Sequence, residues 1–92
     1  NGAAQTTPVY KGNYKNGEME GDGKEYSWDG ILIYDGSFKS GEYSGKGILY
    51  YDDGKKRYEG SFKGGEYNGK GTLYDEDGSV KFKGEFSNGE IK

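Results

Sequence analysis

The sequence predicts an all-β fold: an elongated, single-layer antiparallel meander of successive β-hairpins built on a 24-residue repeat. Three observations carry this expectation. Seventeen of the nineteen glycines fall on five columns that recur every 24 residues. Two aromatic columns, Tyr10, Tyr34, Tyr58, Phe82 and Tyr14, Phe38, Phe62, Phe86, keep the same interval. Every full unit also holds two turn dipeptides, such as Asn16-Gly17 and Asp29-Gly30. A fixed period of this length means that each unit buries its apolar face only against its neighbours.

Residues 1–9 lie outside the period, carry the only proline, Pro8, and read as a linker or an expression remnant. The repeat domain is 10–92, divided into 10–33, 34–57, 58–81 and a partial 82–92. One turn series is Asn16-Gly17, Ser40-Gly41, Gly64-Gly65 and Asn88-Gly89; the other is Asp29-Gly30, Asp53-Gly54 and Asp77-Gly78. Both favour two-residue type I′ hairpins, whose central residues need positive φ. The Asn-Gly register then sets Lys15 opposite Glu18, Tyr14 opposite Met19, Gly12 opposite Gly21 and Tyr10 opposite Gly23. Later units place Phe38 opposite Tyr43, Asp35 opposite Lys46, Phe62 opposite Tyr67 and Glu59 opposite Lys70. The Asp-Gly series places Leu49 opposite Tyr58, Leu73 opposite Phe82, Gly71 opposite Gly84, Tyr50 opposite Arg57 and Tyr74 opposite Lys81.

Alternation along a strand puts the ring and glycine columns on one face. Rings packed over strand glycines would take the place of an oily core. The other face carries Lys11, Asn13, Glu59, Ser61, Lys63, Lys70 and Thr72, with the column Tyr26, Tyr50 and Tyr74, which reads as sheet-stabilising surface tyrosine.

Composition excludes several functions. Leu, Ile, Val and Phe number 13 of 92, too few for a conventional core, whereas ten tyrosines supply apolar area and the net charge of −3 argues against disorder. Cysteine and histidine are absent, so there is no thiolate nucleophile, disulfide framework or cysteine-based zinc site, and redox usage is silent on the compartment. No apolar run approaches the roughly 20 residues of a membrane-spanning helix. The acidic turns Asp52-Asp53-Gly54 and Asp75-Glu76-Asp77-Gly78 lack the spacing of a calcium loop, and no phosphate loop is present. A single-layer sheet keeps its carboxylates wet, so no enzyme, catalytic residue, cofactor or metal is expected.

The segment from Tyr58 to Gly78, YEGSFKGGEYNGKGTLYDEDG, resembles the MORN (membrane occupation and recognition nexus) repeat, with the pattern Y-x-G-x-F-x-x-G-x-x-x-G-x-G followed by a turn glycine. Four copies in phase cover about nine-tenths of the chain, and the 24-residue unit is similar to bacterial variants. The resemblance implies a twisted sheet of hairpins used mainly as a scaffold that holds a partner segment, with lipid binding proposed for some members. The first unit departs from the others: Glu25 stands where Leu49 and Leu73 do, and Ile31, Leu32, Ile33 replace Lys55, Lys56, Arg57.

The candidate partner-binding residues are therefore Tyr14, Phe38, Tyr43, Phe62, Tyr67 and Phe86, a ring-lined platform for a protein or peptide. Self-association through the edge strands, including the short strand Glu90 to Lys92, is a further expectation. Acidic phospholipid is the competing partner, although 13 basic residues face 16 acidic ones and the only basic run is Lys55, Lys56, Arg57. Cell-wall polysaccharide is a third; no nucleic-acid partner is expected. Trp28, Ile31 and Ile33 form clustered apolar surface near one turn, open to an N-terminal segment or to a partner.

Overall fold

The computed structural model describes residues 9–92 as one eight-stranded sheet in which every strand pairs with its sequence neighbour. The strands are β1 (Val9–Lys15), β2 (Glu18–Tyr26), β3 (Leu32–Lys39), β4 (Glu42–Tyr50), β5 (Lys56–Lys63), β6 (Glu66–Tyr74), β7 (Val80–Ser87) and β8 (Glu90–Ile91). The molecule measures 44 × 32 × 16 Å, the proportions of a ribbon one sheet thick plus its side chains. Val9 opens β1; the linker reading of the residues before it lies outside the described residues.

The two turn series differ, and one departs from expectation. At Asn16-Gly17, Ser40-Gly41, Gly64-Gly65 and Asn88-Gly89 both residues have positive φ, as a type I′ turn requires. In the Asp-Gly series only the glycine does, at Gly30, Gly54 and Gly78. There the loop has three residues: Gly78 N donates to Asp75 O at 2.9 Å, and Asp75 N donates to Ser79 O at 2.8 Å. The aspartate explains the choice. Asp53 Oδ1 accepts from Lys55 N and Asp77 Oδ1 from Ser79 N, a local bond that favours a type I turn closed by a left-handed glycine.

The registers of β1–β2, β3–β4 and β5–β6 also differ from expectation beyond the first two pairs. Lys15 faces Glu18 and Tyr14 faces Met19, but a bulge then sets Gly12 opposite Gly23, not Gly21, and Tyr10 opposite Glu25. Likewise Asp35 faces Ile48, not Lys46, and Glu59 faces Thr72, not Lys70. The bulge lies beside Gly21, Gly45 and Gly69, all at positive φ. Because the register moves by two residues, the faces are preserved, whereas a slip of one would have inverted them.

On the Asp-Gly side Leu49 faces Tyr58 and Leu73 faces Phe82 as expected, while Tyr50 faces Lys56 and Tyr74 faces Val80, not Arg57 and Lys81. The extra loop residue is offset by one bulged residue, so the inner pairs fall back into register.

Together these registers align Gly12, Gly23, Gly36, Gly47, Gly60, Gly71 and Gly84 in a row across seven strands. The heading rings lie on this row. A Cβ at Gly47 would stand 2.6 Å from Tyr34 Cε1, and one at Gly71 the same distance from Tyr58 Cε1. Tyr34 and Tyr58 are wholly buried, and with Phe38, Phe62 and Phe86 they form the core. Each hydroxyl ends at the carbonyl of the bulge: Tyr10 on Asn13 O (2.7 Å), Tyr34 on Ser37 O (2.9 Å), Tyr58 on Ser61 O (2.9 Å). Phe82 has no hydroxyl, and there Glu85 O accepts from Lys92 N at 2.9 Å.

Candidate binding face

The ring face is built in layers. Tyr34 and Tyr58 cover the glycine row. Tyr43 stacks on Tyr34 and Tyr67 on Tyr58, each with centroids 3.9 Å apart and planes 12° from parallel. The phenylalanines fill the joints between units edge-on: Phe62 meets Tyr34 at 5.3 Å and Tyr43 at 5.6 Å, and Phe86 meets Tyr58 at 5.3 Å and Tyr67 at 5.5 Å. Such edge-to-face pairs add roughly 0.5–1.5 kcal/mol each beyond area burial. Each unit after the first thereby packs its phenylalanine on rings of the unit before it, Phe38 on Tyr10 included.

The six candidate residues do not share one environment. Phe38, Phe62 and Phe86 are 3–4% exposed and pave the core, so what they offer a partner directly is small. Tyr43 and Tyr67 are half-buried on top of that pavement. Tyr14 occupies the phenylalanine column but is 61% exposed, because the ring it meets is Tyr10 of its own unit and no earlier ring lies on it among the described residues. The 24-residue interval continues the outer layer as Met19, Tyr43, Tyr67 and Ile91, a row along the length of the ribbon.

The electrostatics follow from that layering. Burial pushes the Tyr34 and Tyr43 hydroxyls well above the ordinary phenol value, and for Tyr43 a 2.5 Å bond to Glu25 Oε1 adds to the effect. Tyr67 is raised by burial too, partly offset by the Arg57 guanidinium beside it. Glu25 is the unit-one departure noted in the sequence; its partner hydroxyl, eighteen residues away, was not legible there. Arg57 is the bulged residue before Tyr58, which carries it toward Tyr67 and over the Tyr51 ring at 5.5 Å instead of onto Tyr50. Lys11 lies over Tyr26 at 5.5 Å on the other face.

That other face carries an open cavity of about 460 Å³ along Asp35, Lys46, Ile48, Glu59, Ser61 and Lys70. No group of three or more metal-binding side chains occurs among the described residues. Among the described residues no helix is long and apolar enough to cross a membrane.

The family model for the MORN repeat matches three times, at residues 10–30, 34–56 and 58–80, close to the glycine and ring columns described above. The chain belongs to the MORN repeat family. A search of curated proteins returns no match. MORN repeats are repeat scaffolds, generally involved in binding and generally non-enzymatic. Of the three matched units, the first carries the exceptional turn Ser27-Trp28-Asp29-Gly30-Ile31. There Ser27 Oγ donates to an Asp29 carboxylate oxygen and accepts from Ile31 N at 3.1 Å.

Proposed function

We propose that this MORN array is a non-catalytic scaffold that holds a protein or peptide segment along its ring face. The supporting observation is the outer layer: Tyr43 and Tyr67 are half-buried on fully buried rings, so they offer flat, preordered aromatic surface at little cost in side-chain freedom. Phe38, Phe62 and Phe86 act in this reading as the rigid support beneath the contact. Tyr14, Tyr43 and Tyr67 are the residues a partner touches.

Affinity capture with the chain immobilised, repeated with Tyr14→Ala and Tyr67→Ser variants that keep the parent circular dichroism, tests this. The expected result is one co-purifying protein lost from both variants. Retention of all partners by the folded variants, or sedimentation of the chain with anionic vesicles in place of a protein partner, defeats the proposal. Weak vesicle binding is expected, because juxtamembrane attraction needs clustered basic residues and the net charge is −3.

A further inference from the structure

The turn edge between the first two units departs from the repeat in a way the ring face does not explain. Trp28 stands where the later units have Asp52 and Glu76, and Ile31 where they have Lys55 and Ser79. A turn that only closes a hairpin needs polar residues at these places, as the later units show. Instead Trp28 is 56% exposed. It lines a cavity of about 410 Å³ whose walls also include Ile31, Ile33, Leu49, Tyr51 and Asp52.

Ile33 explains how an apolar wall forms there. It is the bulged residue of β3, packs partly against the ring core, and leaves Trp28 as the outer lip. The clustered apolar surface expected near this turn is graded in depth: Trp28 is exposed, and Ile31 and Ile33 are half-buried.

Charge selects the occupant. The three Asp-Gly turn segments, 27–31, 51–55 and 75–79, together hold six carboxylates and one lysine, Lys55. The four opposite turns, 15–18, 39–42, 63–66 and 87–90, hold three lysines and four glutamates. Negative charge is therefore concentrated on the edge that carries the apolar cavity. Asp29, Asp53 and Asp77 accept bonds within their own turns. Asp52 and Glu76 are exposed and hold no ion pair among the described residues. Asp52 and Arg57 line both this cavity and the adjoining polar one of about 380 Å³, which Asp53 and Glu76 also line; with Asp29 on the first wall, four carboxylates face that one cation.

We infer that this turn edge is a second binding site, for a basic peptide segment. It places an apolar side chain between Trp28 and Tyr51 and a neighbouring lysine or arginine against Asp52 and Glu76. The exposed aromatic lip supplies affinity and the carboxylate row supplies orientation and rate of encounter. The site borders the ring face at Arg57, beside Tyr67, but its walls include none of Tyr14, Tyr43 and Tyr67, so substitution of Trp28 distinguishes this proposal from the first.

The test is fluorescence anisotropy of three labelled hexapeptides: Lys-Lys-Leu-Phe-Lys-Lys, its charge-reversed counterpart Glu-Glu-Leu-Phe-Glu-Glu, and Lys-Lys-Ser-Gly-Lys-Lys. Only the first is expected to bind saturably, and Trp28, the single tryptophan, should shift its own emission as it does so. Trp28→Ala should weaken binding about tenfold or more. Asp52→Asn with Glu76→Gln should weaken it several-fold and flatten its dependence on salt between about 0.01 and 1 M. Both variants alter exposed residues, and circular dichroism confirms that they are folded.

No saturable binding of the first peptide, equal binding of the reversed or apolar-free peptide, or indifference to Trp28→Ala overturns the inference. So does a change in Trp28 emission on removal of residues 1–8, or one that tracks dimer formation by sedimentation. Either result would make the chain itself the occupant.

Discussion

Replacing Gly71 with alanine should unseat Tyr58 and with it the joint between the second half of the array and the first. The added methyl would sit 2.6 Å from Tyr58 Cε1, inside van der Waals contact, and its nearest neighbours all belong to that buried ring. Tyr58 has no exposed surface to begin with and donates to Ser61 O at 2.9 Å. Expelling it forfeits roughly 1.5–3 kcal/mol of ring burial. The hydroxyl bond contributes about 1 kcal/mol more. At 4–8 °C per kcal/mol for a domain of this size, the melting temperature should fall by about 10 °C or more. Gly84→Ala is the graded control, since its methyl meets Phe82 Cζ at 2.9 Å, a ring end that is only half-buried, and should cost less. The decisive measurement is a double-mutant cycle by urea denaturation with Tyr58→Ala. If the ring truly lies on the row, the alanine at position 71 costs little once the ring is gone, giving a coupling of roughly 2 kcal/mol. Additivity within about 0.5 kcal/mol would refute ring-on-glycine packing as the source of stability.

Other perturbations follow from the same geometry. Tyr34→Phe keeps the ring and removes the bond to Ser37 O, so it should cost about 1 kcal/mol in a denaturant titration. Folded-state burial raises the Tyr34 and Tyr43 hydroxyls above the unfolded value near 10. Their contribution to stability is therefore complete below about pH 10 and is lost as pH rises beyond it; melting curves taken across that range should fall, and less steeply in Tyr34→Phe. Asn16→Ala forces alanine to hold φ near 53° and should cost about 1 kcal/mol, read by thermal melting, whereas Tyr14→Ala, on a largely exposed ring, should stay within about 0.5 kcal/mol.

Much of this architecture was legible in the residues because glycines and rings recur in phase, and phase alone dictates successive hairpins with one aromatic face. What escaped was local chemistry of a kind that alternation cannot express. The third glycine column, Gly21, Gly45 and Gly69, reads equally well as a flat strand position or a left-handed bulge, and only the second lets the glycines of seven strands align. Asp-Gly resembles Asn-Gly as a pair, yet the Asp53 and Asp77 carboxylates take backbone donors two residues on and lengthen the loop. Arg57 was assigned to Tyr50 by strict pairing, and one bulged position sent it elsewhere. For the candidate site, column membership did not reveal depth: Phe38 and Tyr14 share a column, and one is buried while the other is bare.

The packing also has a direction along the chain. Gly41 N donates to Met19 O at 3.0 Å, Gly65 N to Tyr43 O at 3.0 Å and Gly89 N to Tyr67 O at 2.9 Å, so each hairpin tip is anchored to its predecessor just where its phenylalanine docks. An array wired this way assembles like courses of brickwork, each laid on the one below. Excising one internal period leaves the remaining courses seated, because the surface exposed and the surface lost are nearly the same. Damage within one course, by contrast, weakens the seats of both courses that touch it.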